Sequence, residues 1–597
     1  MFSVVKKLFV LLTKSQRKRF YSLQILVVFM AILEIISVAS IIPFMTLVGD
    51  INQLHGKSTM AIIYSASDLS SSQFMFLLGV AVLGVLLISS LFSMFTIWKL
   101  SMFATQVGTE ITDRLYLYYL NKCWLFHASG SSAQLTKKIA GEAGRVSKGI
   151  VMPLMQMNSR IVLAIFISVS IFIYDVKVAV IGLFVFSSAY LILYKLVRTY
   201  LLRNGRTISD MNGQRFELMN EAFGGIKDIL LLGRANVFVS RFKQTSHTLA
   251  FSQGTNTALT QVPVYLMQLI AFGSMISLVL YLISSHSGEL GLILPILSVY
   301  GLATFKLIPA FQHIYSSLGA IKSNIPALES IQEDLNDSNK ISLESNKKDS
   351  RFLRLNKSVS LRNISFCYPG KDELILKQIN ITISAKSVVG IVGPTGSGKS
   401  TLINILLGLI EPKTGKLFVD QKKIDERNRR SWQNSIGYVA QNIFLSEGSV
   451  AENVAFGIPK EEIKLDKVYK SLELANILDH VMSLENGINT KVGERGIKLS
   501  GGQQQRIGIA RALYNESNVL ILDEATSSLD GHTEKVIMNS ILEFSGKKTI
   551  IMIAHRLKTV ERCDQIFLIN EGLLVDQGTY QELIERNQVF RNMAAHA

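Results

Sequence analysis

Residues 387–401 read SVVGIVGPTGSGKST, and this stretch decides the fold of the half of the chain around it. SVVGIV is short, apolar and β-branched, which predicts a buried strand over 387–392. It runs into the glycine-rich GPTGSGKST at 393–401, and LINILLGLI continues as a helix. Strand, GxxxxGK[ST] loop and helix in this order form a phosphate cradle. Gly393, Gly396 and Gly398 let backbone N–H groups approach phosphate oxygens, and the helix turns its positive N-terminus toward them. Lys399 is the expected contact to the β- and γ-phosphates of ATP, and the Ser400 hydroxyl an expected ligand of Mg²⁺. Pro394, Thr395, Ser397 and Thr401 complete the nucleotide-binding loop.

Further along, VLILDEAT (519–526) is an apolar strand ending in two acids. Asp523 at the strand end would hold the Mg²⁺ shell, and Glu524 would orient or deprotonate the attacking water. An apolar strand followed by Asp-Glu is common by itself. Following a phosphate loop at this distance, it is specific.

The remaining motifs carry a resemblance. LSGGQ (499–503), followed by QQRIGIARAL, resembles the signature of ABC transporter ATPases. In the same pattern Tyr368 of FCYPG matches the aromatic that stacks on adenine, and Gln441 of YVAQNIFL matches the glutamine that reaches Mg²⁺. GERG (493–496) is similar to the exporter-specific loop, SSLD (527–530) to the loop ending in Asp530, and His555 of IAHRL to the switch histidine. Gln504 stands where many relatives carry Lys or Arg; a small effect is expected there. The resemblance implies a head-to-tail homodimer in which Ser500, Gly501, Gly502 and Gln503 of one chain close on the ATP held by Lys399 of the other. With one phosphate loop per chain, two composite sites need two copies.

Outward from this half, the composition changes. The 597 residues carry a net charge of +17 with only 18% charged residues. Residues 1–350 have 30 Lys+Arg against 18 Asp+Glu, and 351–597 have 32 against 27. The more apolar half is thus the more basic one, which nucleic-acid binding explains poorly and membrane topology explains well. Disorder and a disulfide scaffold are excluded by the same figures. Cys123, Cys367 and Cys563 lie far apart without zinc-ligand spacing and read as reduced thiols.

Six apolar stretches are long enough to cross a bilayer core of roughly 30 Å: 22–47, 74–97, 152–174, 176–197, 261–284 and 289–311. Basic residues crowd 1–20, 98–151 and 198–260, among them Arg17, Lys18, Arg19, Arg114, Lys137, Arg145, Arg198 and Arg203. The positive-inside rule then puts both termini in the cytoplasm. The charged start lacks a small-residue cleavage site before the first apolar run, so no removable signal peptide is expected. Both long cytoplasmic connections contain helix-compatible segments, Thr105–Leu120 and Glu217–Leu231, expected to prolong the membrane helices as rigid levers; the alternative is a pair of hairpins lying on the membrane.

Residues 331–350 are polar, Ser/Asn-rich and free of aromatics, and read as a linker. The expected organisation is a membrane domain at 1–330 with six transmembrane helices of ABC exporter type, a linker at 331–350 and an α/β P-loop ATPase domain at 351–597. Glu34, Arg160 and Lys306 are charges within spans, where ionisable groups pair or meet a substrate. For Arg160 and Lys306, snorkelling or pairing with Glu34 is the competing account.

Span count and fusion order resemble bacterial half-size ABC exporters, which implies an ATP hydrolase coupled to transport in the cytoplasmic (inner) membrane. Among these the closest resemblance is to the PglK-type lipid-linked oligosaccharide flippases. EIISVASIIPFMTL (34–47), NEAFGGIKDILLLGR (220–234) and FKLIPA (305–310) carry it, and Lys306 matches a basic residue held to meet the substrate pyrophosphate. Further intramembrane arginines of that family have no equivalents at 85–95 and 262–268. The expected activity is ATP-driven flipping of a polyprenyl-diphosphate glycan. The alternatives are export of lipid A or hydrophobic drugs, and an ATP-gated channel or regulator.

Overall fold

A computed structural model describes residues 9, 12–49, 59–67, 69–174, 176–285, 290–338, 351–493, 496–524, 531–554 and 557–595. The chain divides into two compact units, Met1–Lys122 with Ser129–Ser342, and Cys123–Ala128 with Leu343–Ala597.

The first unit is helical. Its long helices are α1 (Lys14–Gly49), α2 (Ser71–Leu120), α3 (Met152–Tyr174), α4 (Val176–Gly224), α5 (Ala235–Ser285) and α6 (Leu290–Ser338). Five of them contain an expected span and α6 contains the sixth from residue 290 onward. On their described residues, four helical segments have the length and hydropathy to cross a membrane. The other two expected spans, 176–197 and 289–311, include positions whose side chains are not described. α2 starts on a capping box in which the Gln73 N–H donates to Ser70 Oγ and the Ser70 N–H to Gln73 Oε1. It then runs 50 residues, about 75 Å at 1.5 Å per residue and well beyond a bilayer core. α4 runs on to Gly224 and α5 starts at Ala235, so both prolong their spans by several turns into the second cytoplasmic connection, but the expected Glu217–Leu231 segment is broken at Gly225 and continues only as a short helix, Ile226–Leu231.

The linker begins later than its composition suggests. Residues 331–338 extend α6, because Leu328, Ile331 and Leu335 fall on one buried face. The polar residues of IQEDLNDS are engaged too: Asp334 accepts from Tyr119 Oη and Lys138 Nζ, each at 2.7 Å, and Arg114 Nη2 donates to the Leu335 carbonyl at 3.2 Å. Residues 339–350 lie outside the described set.

A buried ionic node braces the cytoplasmic parts of this unit. Ser132 to Val151 form a helical run with two π-helical segments, Lys137–Glu142 and Ser147–Val151. Glu142, fully buried, receives Arg145 Nη1 at 3.0 Å, Lys137 Nζ at 3.8 Å and the Ser209 hydroxyl. Arg145 also donates to Asn324 Oδ1 and to the Gly205 and Ser323 carbonyls at 3.1, 3.3 and 3.4 Å. α4 approaches α6 this closely only because residue 205 is glycine: a Cβ there would lie 2.0 Å from the Ser323 carbonyl oxygen.

The second unit is α/β. Strands β1 (Ser358–Phe366), β2 (Leu376–Ser384), β4 (Thr414–Val419) and β5 (Lys422–Lys423) form an antiparallel sheet in the order β2-β1-β4-β5. β3 (Val388–Val392), β6 (Ile436–Val439), β7 (Val519–Asp523), β8 (Thr549–Ile553), β9 (Gln565–Asn570) and β10 (Leu573–Gly578) form the second sheet, ordered β10-β9-β3-β8-β7-β6. Its strands are parallel except for the antiparallel edge β10. β3, β7 and β8 are continuous apolar runs because helices cover both sheet faces. Parallel strands also deliver their C-terminal ends to one edge, where ligands bind in such sheets.

Candidate functional site

That edge collects the expected nucleotide site. The fully buried β3 leads into the loop, which enters α7 (Lys399–Leu406) with Gly398 as its N-cap. Gly393, Gly396 and Gly398 have φ of +155°, +82° and +102°. At Gly393 the requirement is also steric, since a Cβ would sit 1.9 Å from the Ile569 carbonyl oxygen. Lys399 is 5% exposed, and its Nζ donates to the Gly393 and Pro394 carbonyls at 2.8 Å each. Burial pulls its pKa below the ordinary lysine value, while Glu524 and Asp523 pull it back up. The Ser397 hydroxyl is buried with no hydrogen-bond partner among the described residues. An orphaned hydroxyl, a lysine turned back on its own loop and a helix N-terminus together suit a polyanion.

Asp523 ends β7, and the Tyr438 hydroxyl donates to its Oδ2 at 3.2 Å. Burial first, and then the Asp523 charge, push the Tyr438 pKa up, so the phenol stays protonated. Glu524 follows with φ +49°, a left-handed conformation that turns its carboxylate off the strand line. Gln441 Nε2 donates to Glu524 Oε2 at 2.7 Å. Carboxylate, amide and the Ser400 hydroxyl are a hard oxygen donor set of the kind Mg²⁺ takes. Tyr368 packs edge-on against Phe366 with centroids 5.1 Å apart, and its hydroxyl lies 3.3 Å from Thr401 Oγ1. The expected adenine platform thus rests on the helix that carries Lys399.

Ser500 N-caps α8 (Gly501–Tyr514) through a capping box: the Gln503 N–H donates to Ser500 Oγ at 3.3 Å and the Ser500 N–H to Gln503 Oε1 at 2.8 Å. Gln504 is not idle: its Nε2 donates to the Gly496 and Leu499 carbonyls at 3.0 and 3.2 Å, bracing the loop before the signature. A lysine or arginine there would have the same donor function. Asp530 and His555 lie outside the described residues, as do Glu494, Arg495 and the rest of SSLD.

Sequence reasoning missed two residues. Tyr438 holds Asp523 from the neighbouring strand β6, and the signal for it was its place on the strand that leads to Gln441. Gln505, 2% exposed, donates from Nε2 to the Glu524 carbonyl oxygen at 3.3 Å and so ties α8 to the acid pair. Nothing in the run QQQ distinguishes it from its neighbours.

In the helical unit, Lys306 Nζ lies 3.3 Å from Glu34 Oε2, and Ser93 Oγ donates to Glu34 Oε1 at 3.1 Å. Lys306 is thus ion-paired with Glu34 in this structure. Arg160 lies on α3, the helix of the third expected span.

Residues 376–527 match the model of the ABC transporter family. The chain is 27% identical over 514 residues to an ATP-dependent lipid A-core flippase of Photorhabdus laumondii subsp. laumondii, covering 86% of this chain and 87% of that protein. A protein of the same description from Escherichia coli (strain K12) is 27% identical over 522 residues, with the same coverage. Among solved structures, a bacterial Atm1-family ABC exporter with ATP bound superposes with TM-score 0.79 at 21% identity, covering 97% of this chain and 98% of that one.

Proposed function

We propose that this chain, which has the ABC exporter fold and an ABC transporter ATPase domain, is an ATP-driven flippase of a phosphorylated glycolipid, with lipid A and its core glycan as the first substrate class. The observation that carries the ATPase part is the meeting of Lys399, Gln441, Asp523 and Glu524 at one sheet edge, in a chain that also carries long apolar helices. The lipid part is supported by the relatives described as lipid A-core flippases, matched over most of both chains. A polyprenyl-diphosphate glycan is the second reading, favoured by the segments at 34–47, 220–234 and 305–310. Both classes join a phosphorylated sugar headgroup to hydrocarbon, and neither crosses a bilayer core unaided.

In this reading the backbone N–H groups of 393–401 and the Lys399 ammonium bind the ATP phosphates, and Tyr368 supports the adenine. Ser400, Asp523 and Gln441 would hold Mg²⁺, which when bound would offset the charge developing on the phosphates. The Glu524 carboxylate orients the attacking water and accepts its proton; His555 and Asp530 complete the site. Gln441 has two demands on it, the metal and Glu524. Its Nε2 donates to Glu524 at 2.7 Å, which leaves the amide oxygen as the atom that would meet the metal. Ser500 to Gln503 of a second copy close the site, which makes the working unit a homodimer. Closure pulls on the cytoplasmic helices and tilts the spans. The protein sits in the cytoplasmic membrane with both termini inside.

Proteoliposomes test this. Labelled lipid A-core should change leaflets only with hydrolysable ATP, with vanadate-sensitive turnover. If lipid A-core stays put while a polyprenyl-diphosphate glycan moves, the second reading replaces the first; if only a hydrophobic drug moves, both fail.

A further inference from the structure

We infer that the ATPase unit carries a second nucleotide site, a groove between the chain at 351–353 and the loop at 422–431, in which Phe352 stacks on the base while Lys422 and Arg427 take the phosphates. Its occupant is a nucleoside diphosphate or triphosphate bound as a non-catalytic ligand. The groove shares no lining residue with the ATP cradle around Lys399, and it is independent of what the membrane helices carry.

Charge is spread unevenly over this unit. Residues 351–435 hold 15 Lys+Arg against 6 Asp+Glu, whereas 436–597 hold 17 against 21. The excess gathers at β4, β5 and the loop behind them, where KLFVDQKKIDERNRR (416–430) carries six basic residues and three acids. Two of those acids are engaged by backbone: Asp420 by the N–H groups of Asn356, Lys357 and Ser358, and Asp425 by that of Arg427 at 3.0 Å. Lys423 on β5 comes so close to Lys416 on β4 that it pulls the Lys416 pKa below the ordinary lysine value, first through hydrogen bonding and then through its charge. Like charges crowded across a hairpin are destabilising, and an anion relieves them.

The groove has a volume of about 460 Å³, within the size range of small-molecule sites, and Arg351, Phe352, Lys422, Asp425, Arg427 and Asn428 line it. Its walls are held in place. The Leu353 N–H donates to the Ser431 carbonyl at 2.9 Å, Asn434 Nδ2 to the Arg351 carbonyl at 3.2 Å, and Asn428 Nδ2 to the Lys423 carbonyl at 2.8 Å. Phe352 is 51% exposed, and among the described residues no ring or cation lies against it. The Lys422 and Arg427 side chains likewise make no hydrogen bond or ion pair among the described residues, whereas Arg429 pairs with Glu411 at 3.5 Å. A guanidinium grips a phosphate through two parallel donors and an ammonium answers it as a point charge, while an open aromatic face takes a base. A bare anion would leave Phe352 in water, and so would a lipid headgroup, which brings a phosphate but no base. A nucleoside polyphosphate satisfies ring and cations together.

The test uses the full chain in phosphatidylcholine nanodiscs, with Lys399→Met to impair the ATP cradle, titrated with ADP and GDP carrying a fluorescent N-methylanthraniloyl group on the ribose. At least one of the two should bind saturably, at one per chain. Phe352→Ala, and Lys422→Gln together with Arg427→Gln, should each weaken that binding about tenfold. Phe352→Trp and Arg427→Lys should stay within about threefold of the Lys399→Met protein. Lys416→Gln, on the same basic lobe but outside the groove, should change the affinity less than about twofold. Inorganic pyrophosphate should displace the label only at about ten times the concentration of the unlabelled nucleotide. Loss of all binding with Lys399→Met, or binding that ignores the groove variants, overturns the site. An equal loss for Lys416→Gln reduces it to diffuse charge and overturns it too, and pyrophosphate as potent as the nucleotide removes the base. If phosphatidylglycerol vesicles displace the label and free nucleotide does not, the groove is a membrane contact and the nucleotide site falls.

Discussion

Replacing Glu142 by Gln should destabilise the helical unit through the charge it abandons rather than the bond it loses. Glu142 is fully buried and Arg145 is 14% exposed; the 3.0 Å pair between them is the only carboxylate contact of that guanidinium among the described residues. Burial pulls the Arg145 pKa below its ordinary value, and Glu142 pulls it up. Glutamine keeps the shape and can still accept from Ser209, but it leaves a buried cation without counter-charge. Breaking a buried pair in this way costs about 3–5 kcal/mol. At roughly 2 °C per kcal/mol, the low end for a large unit, the melting temperature should fall by about 6–10 °C. Arg145→Met should cost less, because Lys137 stays 3.8 Å from the Glu142 carboxylate. The double variant should lose less than the sum of the two, by at least about 1.5 kcal/mol of coupling. Thermal unfolding of the four proteins in one detergent, followed by helical circular dichroism, measures all of this. A Glu142→Gln melting temperature within about 1 °C of the parent, or strictly additive losses, would refute the charge argument.

Glu524→Gln should bind ATP and lose turnover by about 10²–10⁴-fold, read by steady-state hydrolysis beside nucleotide trapping; turnover near the parent level removes Glu524 from its role. Gly393→Ala should lose ATP affinity altogether in a fluorescent-nucleotide titration, because its methyl would sit 1.9 Å from the Ile569 carbonyl oxygen; unchanged affinity would mean that the loop has room. Asp420 accepts from the N–H groups of Asn356, Lys357 and Ser358 at 2.8, 2.7 and 3.0 Å. Burial raises its pKa and these donors outweigh that, so the net shift is below the ordinary carboxylate value. A depressed native pKa contributes stability above the unfolded value of about 3.9 that is lost as pH falls through the native one. Asp420→Asn should therefore be less stable than the parent at pH 7 in denaturant melts, with the gap closing below about pH 4. A gap independent of pH would mean the carboxylate charge is not what matters.

The candidate nucleotide site was legible in the sequence because its parts are local. Strand, loop and helix of 387–409 are contiguous, and glycine positions, the lysine and the strand-end acids report backbone demands that neighbours in the chain impose. The long helices were legible for a similar reason, since a bilayer asks only for a run of apolar residues. Residues 331–338 were misread because their composition is polar while their burial is set by three apolar positions facing other helices.

What the sequence by itself determined was the α/β ATPase pattern, the six apolar runs and the identity of most nucleotide-site candidates. Tertiary structure alone decided which charges meet. Lys306 and Glu34 are 272 positions apart and Lys138 and Asp334 are 196 apart, yet each pair closes to within a salt-bridge distance. Nor could spacing separate Arg160 from Lys306, or Gln505 from Gln503 and Gln504. The reason is that helix, strand and loop preferences act over a few residues, whereas the cost of an unpaired buried charge is answered by whatever the packed helices bring alongside it.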